Sequence, residues 1–311
     1  MIATGDPSVA ILLGTFNGER FLEAQLDSLE SQTVRHWKLY VSDDGSTDAT
    51  LDIIHRYQSK WGADKIQYRT GPQKGFAQNF LSLACDPSIK ADYYAFCDQD
   101  DVWLPEKLSV AVEHIARESS QEQFYAYGGR TTYTDEKLKP IGLSPLFVFP
   151  RTFRNALIQS IAGGNTMVFN QATKTLLEKV GLVPTPSHDW WLYQLVTGAG
   201  GVMYYDPKPH ILYRQHDRSL VGSNTSLKSL LIRFGMLLNG RFKKWTDKNI
   251  QSLNQAIIFL KPEHIETLKL LEKMRNANFN DRLRLIQVSG LYRQTKRGTF
   301  SLAIASMLGK I

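Results

Sequence analysis

Three carboxylates, Asp98, Asp100 and Asp101, fall within four positions in "CDQDD", directly after the apolar aromatic run "YYAF". Like charges this close destabilise one another unless a cation or a set of donors compensates them. Two readings account for the cluster. One is an exposed acidic turn in which Asp101 caps the next helix. The other is a divalent metal site, because hard carboxylate oxygens at a strand end suit Mg2+ or Mn2+, ions that also bridge diphosphates. Asp43 and Asp44 in "SDDGSTD" offer a similar choice. They form an Asx-type turn leading into a helix, or a carboxylate that accepts hydrogen bonds from a base or ribose hydroxyl. Asp189 in "SHDWW" stands beside His188, Trp190 and Trp191. On its own it reads as a helix N-cap in an aromatic-rich helix start. Arg214 in "YRQHD" carries the planar fork that matches phosphate oxygens.

The elements around these residues determine where they end up. "SVAILLGT" is a continuous apolar run, as in a strand buried on both faces. "GERFLEAQLDSLESQ" follows with Phe21, Leu22, Gln25, Leu26 and Leu29 near one helical face. "HWKLYVSDDGST" is a second strand ending in a carboxylate turn, and "TDATLDIIHRYQSKWG" a helix capped at Thr47 or Asp48. "KIQYRTG", "GFAQNFLSLACD", "DYYAFCD" and "LPEKLSVAVEHIARE" continue the alternation, the last with Pro105 near the helix start. Strand-helix alternation of this length implies a parallel, right-handed sheet whose ligands bind beyond the carboxyl ends of the strands. The polar clusters therefore gather on one edge. Between residues 120 and 220 the pattern is mixed, with short strands expected near 124–129, 166–170, 201–205 and 210–213. Residues 226–259 and 262–290 read as amphipathic helices.

At 311 residues the chain can bury a sizeable core and carry an appendage. Its 42% hydrophobic and 22% charged residues exclude a disordered protein. Cys85 and Cys97 lie in apolar surroundings without metal-ligand spacing, so buried thiols and a reducing, cytoplasmic setting are expected. The N-terminal apolar run has no basic segment ahead of it, unlike a signal peptide. No stretch approaches the ~18 apolar residues of a membrane span. The net charge of +7 hides an asymmetry: residues 1–206 hold 18 Lys and Arg against 24 Asp and Glu, and residues 207–311 hold 19 against 6. A basic tail on an acidic body points to an anionic surface. Docking on the inner face of an anionic membrane is the expected use, with a plain solvated helix as the alternative. No nucleic-acid motif is present.

Taken in order, "LLGTFNGERFLEAQLDSLESQ", "LYVSDDGSTDAT", "GPQKGFAQNF" and "AFCDQDDVW" give a pattern that resembles the family 2 inverting glycosyltransferases, which bind nucleotide sugars on a GT-A fold. "GGNTMVFN", "HDWWLYQLV" and "YRQHDRSLVG" are similar to the bacterial rhamnosyltransferase branch. The resemblance covers residues 8 to about 222, and Gly14 departs from it where a small hydroxyl residue is usual. It implies an α/β GT-A domain over 1–222 with a mostly parallel sheet, and a basic helical extension over 223–311. It implies a nucleotide pocket begun by Thr15 and Asn17, with Asp44 reading the base, Asp43 near it and Lys74 in the loop before the third helix. Asp98 and Asp100 match the family's D-x-D element, Asp100 binding Mg2+ or Mn2+ and Asp98 the ribose side or a metal-bound water. His216 would complete the metal shell, and Arg214 would meet the diphosphate. Asp189 would be the general base. Gly163, Gly164 and Asn165, with His188, Trp190 and Trp191, would receive the acceptor.

The expectation is therefore a metal-dependent inverting glycosyltransferase using dTDP-L-rhamnose, or second a UDP-hexose, on a growing lipid-linked saccharide of the cell surface. A phosphatase with Asp98 as nucleophile and a non-catalytic sugar-nucleotide-binding protein are the rivals. Three strands precede "DQDDV", whereas phosphatases of the haloacid-dehalogenase type carry such a loop at their first strand.

Overall fold

The computed structural model describes residues 7–216 and 241–311. Its strands are β1 Val9–Thr15, β2 Trp37–Asp43, β3 Ile66–Thr70, β4 Tyr93–Cys97, β5 Val102–Trp103, β6 Tyr125–Gly129, β7 Thr132–Thr134, β8 Pro140–Leu143, β9 Val168–Asn170, β10 Val202–Asp206 and β11 Ile211–Arg214. Among the described residues they form a seven-stranded sheet, ordered β10-β6-β9-β4-β1-β2-β3, and a four-stranded one, ordered β5-β11-β7-β8. The chain divides into two compact units. The described part of the first is 7–144, 162–182 and 204–216, and that of the second is 145–161, 183–203 and 241–311. The expected boundary at 222 lies outside the described residues.

In the first unit the apolar runs place β1 centrally, parallel to both β2 and β4, with β3 parallel beyond β2. Side chains along β1 are buried almost throughout, as a strand covered by helices on both faces requires. Leu22, Leu26 and Leu29 of helix Leu22–Glu30 join Ile11, Leu13, Leu39 and Val41 in the core. β9 reverses the pattern by pairing antiparallel with β4 and β6, so the sheet is mostly parallel. Register aligns Thr15 with Asp43 and Asp43 with Thr70, while Cys97 pairs with Leu13 two residues earlier. The carboxyl edge of the sheet is thus set by backbone pairing alone. Gly14 packs closely here: a Cβ there would lie 3.1 Å from the Phe80 ring, so a side chain would need that ring to shift by a few tenths of an ångström.

The smaller sheet was not foreseen as a unit. β5 follows the Asp98–Asp101 cluster directly and pairs antiparallel with β11, Val102 opposite Leu212 and Trp103 opposite Ile211. β11 runs parallel to β7, with Arg214 beside Thr134. This pairing carries the residues after β11 back to the carboxylate cluster.

Beneath the cluster, Lys107 starts helix Lys107–Glu118 with its side chain buried and its Nζ 3.4 Å from the centre of the Trp103 ring. Nζ has no hydrogen-bond partner among the described residues. Burial pulls its pKa down to about 7, with the Cys97 thiol opposing weakly. The unfolded lysine titrates near 10.5, so between about pH 7 and 10.5 the unfolded chain binds the extra proton and stability rises with pH. Lys107→Met should remove that slope, about 1.4 kcal/mol per pH unit, from urea unfolding measured between pH 8 and 9.5. An unchanged slope would mean the amine is hydrated in the native state.

The second unit is mainly helical. Helix His188–Gly198 is buried along most of its length, and Tyr193 Oη donates to Asn155 Oδ1 at 2.9 Å. Of the helix expected over 226–259, residues 226–240 lie outside the described set; the rest is helix Arg241–Gln255 and a 3-10 turn, Ile257–Phe259. The helix expected over 262–290 is two, Pro262–Asn276 and Phe279–Ser289. Asn278 separates them by capping the second, its Oδ1 accepting from Asp281 N at 3.0 Å. A last helix spans Lys296–Met307.

Candidate functional site

At the carboxyl edge of the first unit, Asp43 is almost fully buried. Its Oδ2 accepts from Thr15 Oγ1 at 2.7 Å and from Ser46 Oγ at 2.5 Å, and its Oδ1 from Ser46 N at 2.8 Å and Gly45 N at 3.1 Å. Thr15 and Asp43 therefore tie strand to turn from inside rather than facing a ligand. Asn17, at a left-handed φ of 48°, accepts from Thr47 N through Oδ1 at 2.9 Å and donates its own N–H to Ser46 Oγ at 2.8 Å. It locks the loop after β1 to the loop after β2. Asp44 faces the other way, Oδ1 accepting from Gln73 N at 2.6 Å and Oδ2 from Gly75 N at 2.8 Å. It shapes the loop that carries the exposed Lys74, and each carboxylate oxygen keeps a second acceptor position for a ligand donor.

Gln99, between Asp98 and Asp100, was not singled out from sequence. Its amide grips the backbone of Phe16 on both sides, Oε1 accepting from Phe16 N and Nε2 donating to Phe16 O, each at 2.9 Å. Gly18 must be glycine for this clamp to close, since a Cβ would lie 2.2 Å from Gln99 Oε1. The outcome is an aromatic ring, 56% exposed, on a rigidly held backbone beside the carboxylate loop. The only sequence signal for it was the aromatic residue between Thr15 and Asn17.

The carboxylate cluster is built in layers. Asp101 is completely buried, Oδ2 accepting from Asn165 Nδ2 and Oδ1 from Arg214 N at 3.2 Å. Burial holds its pKa well above the ordinary carboxylate range, and Asp100 and Asp98 add repulsion. Asp100 lies nearer the surface, with Oδ2 2.9 Å from His216 Nε2. The His216 ring rests on Phe21, centroids 5.0 Å apart, and the Arg214 guanidinium covers the same ring at 4.5 Å. Arg214 Nε donates to Asp100 O at 3.0 Å, and its Nη1 to Glu136 O. Asp100, Asp101, Asn165, Arg214 and His216, spread over 116 positions of sequence, thus meet in one place. A cavity of about 420 Å3 flanks them, lined by Arg20, Phe21, Glu136, Lys137, Leu138 and Arg214.

This donor set suits a hard divalent ion. Mg2+ and Mn2+ take one or two protein oxygens and complete their shells with water and phosphate, and one carboxylate with one imidazole leaves room for a diphosphate. Among the described residues no group of three or more His, Cys, Asp or Glu side chains is poised to hold a metal alone. Burial chiefly lifts the Asp101 pKa, and the repulsion that Asp100 and Asp98 add is what a cation would relieve.

In the second unit, helix His188–Gly198 places Asp189 in its first turn, with Ser187 rather than Asp189 at the N-cap. Asp189 Oδ1 accepts from Trp190 N at 2.7 Å and from Ser187 Oγ, while Oδ2 takes no hydrogen bond from the described residues. His188, Trp190 and Trp191, expected to face an acceptor, are turned into the core of this unit. Trp190 Nε1 donates to Ala156 O at 2.6 Å, and burial drops the His188 pKa to about 4, so the ring is neutral. These rings anchor the turn that bears Asp189. Asn165 and Gly164 are also buried, Asn165 serving Asp101.

The model of a family described as "Glycosyl transferase family 2" matches residues 10–177. The chain is 28% identical over 258 residues to a dTDP-rhamnosyl transferase, RfbG, of Shigella flexneri, an alignment covering 79% of this chain and 84% of that protein. Among solved structures it is similar in fold to Staphylococcus aureus TarS 1–349 in complex with UDP, at TM-score 0.56 and 14% identity over 97% of this chain and 88% of that one. It is also similar to the Pyrobaculum calidifontis mannosyltransferase PcManGT in complex with GDP-Man and Mn2+, at TM-score 0.51 and 16% identity over 99% and 86%.

Proposed function

The chain belongs to glycosyl transferase family 2, and from that premise we propose that it transfers L-rhamnose from dTDP-L-rhamnose, in the presence of Mg2+ or Mn2+, to a lipid-linked saccharide at the inner face of the cell membrane. The observation that carries the donor-site assignment is the Asp100–His216 pair, brought together by β5–β11 pairing at the carboxyl edge of the sheet. The choice of rhamnose rests on the similarity to the Shigella dTDP-rhamnosyl transferase, which extends over most of both chains. Mn2+ accompanies GDP-Man in PcManGT, a chain of the same fold.

In this reading Phe16 stacks on the base, and Asp44 accepts the base N–H while fixing the loop of Lys74. Asp98 lies toward the ribose. Asp100 and His216 would hold the ion, which when bound neutralises charge on the departing diphosphate. Arg214 supplies fixed positive charge on the same side. Asp189 Oδ2 takes the proton from the acceptor hydroxyl while that oxygen forms a bond to the anomeric carbon and the bond to the nucleoside diphosphate breaks. One displacement inverts the anomeric centre, so a β-linked donor yields an α-rhamnoside.

Donor identity is tested by equilibrium binding of dTDP-L-rhamnose, UDP-glucose and GDP-mannose with Mn2+; tightest binding of the dTDP sugar is expected. Preference for UDP-glucose would retain the enzyme class and replace the sugar. Base stacking is separately testable. Aromatic stacking on a base is worth about 1–3 kcal/mol, so Phe16→Ala should raise the donor KM by about 5- to 150-fold with kcat little changed. An unchanged KM would remove Phe16 from the pocket.

A further inference from the structure

The last two helices of the second unit carry an apolar face that their own packing does not use. On helix Phe279–Ser289, Leu285 and Ile286 are buried, and on helix Lys296–Met307 Leu302 and Ala305 are buried. Arg282 Nη1 donates to Met307 O at 3.3 Å, which ties the pair together. The inner faces thus already hold these helices in place. Yet Phe300, Ile304 and Leu308, spaced four apart and so on one stripe, are 68%, 36% and 55% exposed. Phe279, Leu283 and Val288 are exposed on the neighbouring helix. Single exposed apolar residues need no explanation, but a row of them rimmed by charge marks an interaction surface.

The rim has one sign. Residues 277–311 contain six Lys and Arg, namely Arg282, Arg284, Arg293, Lys296, Arg297 and Lys310, against one acidic residue, Asp281. Arg284, Lys296 and Arg297 are exposed beside the stripe. Two copies meeting through this face would oppose like charges, whereas an anionic bilayer satisfies apolar centre and basic rim at once. No helix among the described residues is long and apolar enough to cross a membrane, so contact would be in the interfacial plane. Helix Arg241–Gln255, the described part of the basic segment 226–259, exposes only polar side chains, among them Lys243, Lys244 and Lys248. It has the cations without the apolar stripe.

We propose that the face formed by Phe279, Leu283, Phe300, Ile304 and Leu308 docks this chain on anionic phospholipid, with Arg284, Lys296 and Arg297 meeting the headgroups. It deepens the reading of a membrane-bound acceptor and does not depend on which sugar is transferred. The test is flotation of the full chain with vesicles of phosphatidylglycerol and phosphatidylcholine in equal amounts, and with phosphatidylcholine alone. Strong binding to the first only, weakened by salt, is expected. Phe300→Ser combined with Ile304→Ser and Leu308→Ser should weaken partitioning by about 100-fold, and Lys296→Glu with Arg297→Glu by about tenfold at low salt. Melting temperature and transfer to a soluble acceptor should be unchanged in both. Undiminished vesicle binding by the serine variant would overturn the proposal, as would failure of the parent chain to bind anionic vesicles. A parent dimer that the serine substitutions dissociate, with vesicle binding unaffected, would assign the face to a second copy instead. Loss of transfer to the soluble acceptor in the parent chain would count against the glycosyltransferase mechanism, not against this surface.

Discussion

Asp189→Asn is expected to lower the turnover of sugar transfer by about 10^2- to 10^4-fold, the range removed with a positioned general base, while donor affinity stays within about twofold. The amide keeps the size of the carboxylate and can still accept from Trp190 N and Ser187 Oγ through its oxygen, as Asp189 Oδ1 does. The helix start is therefore preserved, and the buried Trp190 and Trp191 continue to hold it. What disappears is a group able to take a proton through Oδ2, which makes no hydrogen bond to the described residues. Single-turnover kinetics at saturating donor isolates the chemical step. A variant with nearly full turnover would mean that another group deprotonates the acceptor, and that Asp189 only complements the helix N-terminus.

The second large effect is at Asp100. Asp100→Asn should cut transfer by about 10^3-fold and abolish the response of donor binding to Mn2+. Its effect on stability should go the other way. Asp100 adds repulsion to the buried Asp101, so without metal the neutral amide should unfold at the same or a slightly higher temperature than the parent. Activity lost and stability kept is the signature of a charge retained for function. Calorimetry with and without Mn2+ reads both halves at once. If the parent gains no stability from Mn2+ with a nucleoside diphosphate, the Asp100–His216 pair is not a metal site. His216→Gln should act in the same direction with smaller magnitude, because the carboxylate remains.

Much of this arrangement could be read from residue order. The apolar runs at Val9–Thr15 and Trp37–Asp43 announced buried parallel strands, and with them the edge on which Asp44, Asp98 and Asp100 would gather. What resisted was local orientation. Asp43 and Asp44 are neighbours, yet one is buried against Thr15 and Ser46 and the other reaches the Gln73–Gly75 loop; alternation along a strand end decides this, and composition does not. Trp190 and Trp191 looked like sugar platforms because aromatic rings serve both walls and cores, and burial decided for the core. β5 has two residues and β7 three, too few for any period to register, so the route by which Arg214 and His216 return to Asp100 was invisible. Gln99 was missed because its partner, Phe16, lies 83 positions away. The break at Asn278 was readable, since an N-cap asparagine with an acidic residue, Asp281, in the turn that follows is a helix-start signal.

Proton NMR of the product made from dTDP-L-rhamnose and a lipid-linked saccharide, with Mn2+ supplied in the reaction and omitted in a chelator-treated control, tests the central claim most directly. A single α-rhamnosidic signal, dTDP released in equal amount, and no product in the control are expected. A β-linked product, undiminished transfer in the presence of chelator, or phosphate released without glycoside formation would contradict it.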